Sequence, residues 1–255
     1  MNTRRFGPDD VVPAAEIIRR GGLLGIPTET VYGLGANGLD PEAVANIFAA
    51  KGRPQDNPLI LHIPSSAWLE RYCRNIPDAA YALADRFWPG PLTMILERGD
   101  MVPDVVTAGL DTVGMRCPAH PVCRAILTAA DLPVAAPSGN TSGRPSPTTA
   151  QHMLEDMDGK IDGIVDGGPC TVGVESTIID LTVMPPRLLR PGGVTLEDLR
   201  ETLGEVAVDQ AVRRLMGEGE HPRAPGMKYR HYAPKAPVTV VRGDPARGAD
   251  YIRTH

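Results

Sequence analysis

Between residues 23 and 53 a short apolar segment, a hydroxyl-rich turn, a run of glycines and a proline-started helix follow one another without a gap. No other stretch limits the possible folds as much, because each piece dictates the backbone of the next. Residues 23 to 26 are apolar and bounded by Gly22 and Pro27, the pattern of a short buried strand. Thr28, Glu29 and Thr30 then stand at a strand end, where loops on a rigid scaffold carry function. Asp40 is placed to cap a helix whose first residue is Pro41, since proline lacks only an amide proton that this position leaves unused. Ala43, Val44, Ile47 and Phe48 share one face of that helix, and Lys51 and Arg53 follow at its end. Two cations therefore face whatever the Thr-Glu-Thr turn holds.

Gly33, Gly35 and Gly38 spell G-x-G-x-x-G, the pattern of a dinucleotide-binding turn. In that turn the helix begins inside the glycines, and an acidic residue closes the next strand. Here Asp40 and Pro41 start the helix after the last glycine, and the next apolar stretch, 59 to 63, runs into Pro64-Ser65-Ser66 without a carboxylate. The glycines are read instead as residues needed for tight turns.

The remaining pattern is that of an α/β domain with a mixed sheet. Helices are expected over 10 to 20, 79 to 87, 121 to 130, from about 150, and from a Thr195 cap to 203. Strands are expected over 59 to 63, 92 to 96, 112 to 116, 132 to 136, 161 to 165, 175 to 181 and 186 to 190. Residues 137 to 149 are rich in Ser, Gly and Pro, as a linker would be. Yet a strand feeds them and a helix follows, which is where open α/β sheets hold ligands on backbone amides and hydroxyls. After Gly204 the pattern weakens, and residues 221 to 235 carry Arg223, Lys228, Arg230 and Lys235 with Tyr229 and Tyr232 and no acid, as a linker or as cover for an anion. Another strand is expected to begin at 238 to 242.

Composition excludes several classes. A formal charge of −5 argues against a surface built to coat nucleic acid. Cys73, Cys117, Cys123 and Cys170 show no C-x-x-C spacing and the six histidines are scattered, so the thiols read as free and no metal site is expected. No apolar run reaches the roughly 20 residues of a membrane span, and MNTRRFGPDD has no apolar signal-peptide core, so no membrane partner and a cytoplasmic location are expected.

PTETVYGLG, KGRP with NPL beginning four residues after its Arg, PSGNTSG, VESTIIDL and LLRPGG occur in an order and spacing that resemble the YrdC/YciO family. APGMKYRHYAP resembles the linker of that family's longer, two-domain form. The resemblance implies a twisted open mixed sheet flanked by helices over residues 1 to 205, a linker or lid over 206 to 237, and the start of a second, Rossmann-like domain at 238 to 255.

It also implies a nucleotidyltransferase that forms threonylcarbamoyladenylate and pyrophosphate from L-threonine, bicarbonate and ATP, with Mg²⁺ carried by the nucleotide. The product would pass to a tRNA threonylcarbamoyl transferase complex for modification beside the anticodon, with weak RNA binding as an accompanying expectation. Carried over residue by residue, Thr30, His62, Arg116, the backbone of Ala136, and Ser176 hold threonine. Lys51, Arg53, Asn57, Thr112, Ser138, Asn140, Ser146, Arg190 and Tyr232 meet ATP, Lys51 and Arg53 acting on the reacting phosphates. Two rivals stand beside it. An RNA-binding module would use the same positive cleft without catalysis. The related carbamoyl transfer of hydrogenase maturation belongs to much longer chains with acylphosphatase and zinc-finger parts.

Overall fold

The computed structural model describes residues 2–212 and 239–254. In chain order its elements are β1 (Arg4–Phe6), α1 (Val11–Arg19), β2 (Leu24–Ile26), β3 (Gly33–Asn37), α2 (Pro41–Lys51), β4 (Ile60–His62), α3 (Leu69–Tyr72) and β5 (Cys73–Arg74). These are followed by α4 (Asp78–Phe87), β6 (Leu92–Arg98), α5 (Asp104–Thr107), β7 (Thr112–Arg116), α6 (Pro121–Ala130), β8 (Val134–Ala135), α7 (Ala150–Met157) and β9 (Gly163–Val165). The last are β10 (Thr177–Asp180), β11 (Arg187–Arg190), α8 (Leu196–Leu203), β12 (Ala207–Val208) and α9 (Pro245–Thr254).

Among the described residues the strands join in one mixed sheet, ordered β1-β9-β2-β3-β8-β4-β7-β6-β10-β11-β12, with β5 also paired to β6. The helices start where local chemistry predicts. Asp40 accepts the amides of Glu42 and Ala43 at the head of α2, and Thr195 forms a full capping box with Asp198 at the head of α8.

Because side chains alternate across a strand, each strand divides its residues between two layers. Leu61, Met94, Leu96, Val113, Met115 and Ile179 point into the main core with α2, α4, α7 and α8. The opposite face is covered differently along its width. Across β2 and β8 it packs on α1 and α6 through Leu24, Ile26, Val134, Ala15, Ile18, Ile126 and Leu127. Across β4, β7, β6 and β10 it bears the small cluster of Ile60, Ile95, Ile178 and Leu189. That second span is the floor of the site.

Two sequence expectations change here. Residues 33 to 37, read as turn glycines, form β3, antiparallel to both β2 and β8. Gly33, Gly35 and Gly38 are absent from the positive-φ residues, so what they supply is space rather than turning. A Cβ on Gly35 would stand 2.9 Å from Val134 Cγ1, and one on Gly38 would stand 2.5 Å from Leu61 Cδ2. The strand expected at 238 to 242 does not form over the described residues 239–242, where Val240 and Val241 stay exposed and no described strand supplies a ladder. The chain enters α9 instead. Tyr232 and the basic segment 221 to 235 lie outside the described residues.

Among those residues no helix is long and apolar enough to cross a membrane. All four cysteines are free, and burial raises each thiol's pKa, to about 12 for Cys73 and about 11 for Cys117 and Cys170.

Candidate active site

The first motif folds on its own hydroxyl. Thr28 Oγ1 donates to Val31 O at 2.6 Å and accepts the amides of Thr30 and Val31 at 3.2 Å, closing a local turn that presents Thr30 at the end of β2. Period-two alternation on β4 and β7 then brings Ile60 and His62, and Gly114 and Arg116, onto one face, with His62 directly paired to Arg116 in the parallel register. Ser176, just before β10, bonds Thr93 Oγ1 at 2.8 Å, and Arg190 donates to Ser176 O from Nε at 3.1 Å and Nη2 at 3.0 Å. The RPGG turn follows because Gly192 lies against the backbone of residues 175 to 177. A Cβ there would sit 2.3 Å from Glu175 O.

These residues enclose a cleft of about 580 Å³, counted out to its open mouth. Of the residues predicted from sequence, Thr30, Arg53, His62, Arg116, Ala136, Ser138, Ser176 and Arg190 line it. So do Thr28, Val31, Gly33, Ile60, Pro137 and Glu175, to which the sequence reading assigned no substrate contact. Ile60 was detectable as the residue two before His62, and Glu175 as the neighbour of Ser176. Ser146 reaches the rim indirectly, donating to Glu175 at 2.5 Å. Thr112 shares the Arg116 face of β7 but stands four residues along it, about 13 Å at 3.3 Å per residue.

Lys51, Asn57 and Asn140 stand behind the lining. Lys51 is only 1% exposed, and its ammonium donates to Ser138 O and, at 2.5 Å, to Asn140 O, while its own carbonyl accepts Ser142 N–H. Asp156 of α7 grips the same loop from the other side through Thr141 N–H at 2.9 Å and the Arg144 guanidinium. Residues 137 to 149 are thus a clamped loop rather than a flexible linker. Desolvation, with the Arg53 charge adding to it, pulls the Lys51 pKa down to about 7.

The electrostatics of the floor rest on one buried pair. Arg116 Nη2 meets Glu29 Oε1 at 2.7 Å, with side-chain exposures of 5% and 7%. Burial, and secondarily the Arg116 charge, hold the His62 pKa down to about 3, so its ring is neutral near pH 7. Several buried polar atoms have no partner among the described residues: Arg116 Nε, His62 Nδ1, Asn57 Oδ1 and Asn140 Oδ1. Buried polar groups are nearly always bonded, so each of these calls for a partner such as a water. A cleft with three guanidinium groups, hydroxyls and a neutral imidazole suits an anionic substrate and charge transfer between phosphates.

Comparison with known proteins gives the same direction. The family model described as "Telomere recombination", covering Sua5, YciO and YrdC, matches residues 16–192. A second, described as "Threonylcarbamoyl-AMP synthase, C-terminal domain", matches residues 194–253. A Pyrococcus abyssi protein named threonylcarbamoyl-AMP synthase is 55% identical over 231 residues, covering 90% of this chain and 67% of that one. A Bacillus subtilis protein of the same name is 49% identical over 238 residues, covering 93% and 68%. The crystal structure of P. abyssi Sua5 complexed with L-threonine superimposes with a TM-score of 0.95 at 50% identity, over 100% of this chain and 75% of that one. E. coli YciO gives 0.69 at 25% identity, over 78% and 100%. The motif order, the cleft and these matches agree, and the chain belongs to the Sua5/YciO/YrdC family.

Proposed function

We propose that this chain is a threonylcarbamoyl-AMP synthase, a nucleotidyltransferase that uses ATP and L-threonine to make the adenylate from which tRNA threonylcarbamoyladenosine is built. The observation that carries the reading is the cleft itself, where Arg116, held by Glu29, lines the same space as Thr30, Ser176 and two further guanidinium groups. Relatives at 49% and 55% identity bear the synthase name, and the P. abyssi structure was solved with threonine.

In this reading bicarbonate supplies the carbon. The threonine amine forms a carbamate with loss of water, and a carbamate oxygen attacks the α-phosphorus of ATP. A new O–P bond forms, the bond to the bridging β-phosphate oxygen breaks, and pyrophosphate leaves. The work is positioning and charge stabilisation, which is what the residues present can do. Arg116 takes the threonine carboxylate and Thr30, Ser176, His62 and the Ala136 backbone orient the rest. Arg53 and Arg190 meet phosphate charge, and the loop bearing Ser138, Asn140 and Ser146 wraps the nucleotide, with Asn57, Thr112 and Tyr232 assigned to it by resemblance. Lys51 acts by holding that loop as well as by its charge.

Mg²⁺ would be carried by the triphosphate and would offset its charge, with Glu175 the carboxylate that lines the cleft beside it. The division into a catalytic domain to about residue 205, a connecting segment to 237 and a C-terminal domain belongs to the same proposal, as do the downstream transferase complex and weak RNA contact.

The test is pyrophosphate release with each component omitted in turn. Release is expected only with ATP, L-threonine and bicarbonate together. Turnover that persists without threonine, or that serine and glycine support equally, overturns the assignment. RNA affinity that falls steeply with salt and ignores ATP plus threonine points to the RNA module instead.

A further inference from the structure

Glu29 has no place in the reaction above, yet it is one of the most constrained groups in the molecule. Its carboxylate is buried, Oε1 accepting Arg116 Nη2 at 2.7 Å and Oε2 accepting the Ala119 amide at 3.0 Å. Its carbonyl accepts Val172 N–H at 2.8 Å, so the same residue ties the first motif to the segment leading into Glu175 and Ser176. Glu29 does not line the cleft, whereas Arg116 does. The carboxylate therefore stands behind the guanidinium as seen from the substrate.

We infer that Glu29 is the positioning residue for Arg116, bracing the guanidinium from behind so that the part of it that lines the cleft is held toward the substrate carboxylate. Three physical points carry this. A buried arginine beside a buried imidazole is costly without a countercharge, and Glu29 supplies it. A single contact at Nη2 holds the guanidinium while Arg116 still lines the cleft, so part of its five-donor fork is left on the substrate side. The Ala119 amide takes the second carboxylate oxygen, which stops the carboxylate rotating toward the cleft to compete with substrate.

The inference rests on the reading that Arg116 binds the threonine carboxylate, and a double-mutant cycle on the full chain separates the two. Threonine and ATP KM values are measured for wild type, Glu29→Gln, Arg116→Met and the double variant. Glu29→Gln is expected to raise the threonine KM about 10-fold to 100-fold, the size of a lost charge-assisted hydrogen bond, and to leave the ATP KM within about twofold. Added to Arg116→Met, it is expected to change the threonine KM by less than about threefold, because the group it acts through is gone.

Additive losses, or equal losses for both substrates, overturn the positioning role. An unchanged threonine KM in Arg116→Met overturns the underlying reading instead. If Glu29→Gln fails to fold, Glu29→Asp answers the same question: it keeps the charge one methylene short, and recovery of stability with a threonine KM still raised supports positioning. Recovery of both together marks a merely structural carboxylate.

Discussion

The two walls of the cleft are built by different means. One is carried on strands. His62, Arg116 and, through its contact with Thr93, Ser176 stand where alternation and register put them, and a shift of one residue would turn every one of them into the helix-covered core. The other is carried on the helix α2 and the loop after β8, which scattered backbone bonds hold in place of a regular ladder: Leu34 N–H to Pro137 O at 2.9 Å, Gly139 N–H to Tyr32 O at 2.7 Å and Tyr32 N–H to Pro147 O at 2.8 Å. Buried charge adds to those bonds. Lys51 binds two loop carbonyls and Asp156 binds a loop amide and Arg144, each across many residues of sequence. The strand wall thus gets its precision from backbone geometry and leaves its charges to the cleft and to Glu29. The loop wall spends part of its charge on being a wall.

That contrast breaks if Arg53 only props the loop as Lys51 does. Arg53 lines the cleft and donates to Pro58 O at 3.2 Å, so one guanidinium both props the backbone and faces the cleft. Arg53→Ala is expected to lower kcat/KM by about 30-fold to 1000-fold, or about 2–4 kcal/mol, if the charge meets the developing transition state. Full activity with native stability assigns it to the scaffold. Steady-state pyrophosphate release beside a urea midpoint decides this.

Stability against pH sharpens the comparison, because each wall holds one depressed base. The folded Lys51 pKa is near 7 against 10.5 unfolded, so between those values the unfolded chain binds a proton that the folded chain has released, and stability rises with pH. His62, near 3 against 6.5, acts in the same direction over the acid window. Each slope is at most about 1.4 kcal/mol per pH unit. The difference in unfolding free energy between wild type and Lys51→Met should follow the alkaline window, and that for His62→Asn the acid one. Taking differences removes the buried thiols, whose raised pKa values act oppositely above pH 9. Flat differences in both windows would mean that neither wall keeps its base desolvated in solution.

The smallest effect is expected where neither wall is touched. Thr195→Ala removes the capping box of α8 and should cost about 1 kcal/mol in chemical denaturation. Its rate should match wild type, and a loss of rate would extend the site to a helix on the far face of the sheet.

Much of this was legible in the sequence, for a reason that the residues themselves illustrate. Asp40 before Pro41, Thr195 before Asp198 and the apolar runs at β6 and β7 act over a few positions, so their consequences could be read locally. The motif order likewise located the cleft, and eight of the residues it suggested line it. The glycine run was read wrongly in its physics. A short strand of glycines looks like a turn until Val134 on β8, about 100 residues beyond Gly35, and Leu61 on β4, about 23 beyond Gly38, press on it. The failed strand at 239–242 has the same cause, since apolar alternation specifies a strand only when another strand is there to pair.

The amino-acid sequence by itself determined most of the helices and strands, where α2 and α8 begin, and which polar loops end beside one another at the sheet. Only the tertiary structure decided what each charge does. Lys51 meets carbonyls 87 and 89 residues away, and Arg116 meets Glu29 at a separation of 87. Such pairings are fixed by desolvation: once burial has removed water, a charge must take the partner that the fold brings within reach, and no local pattern records which partner that is.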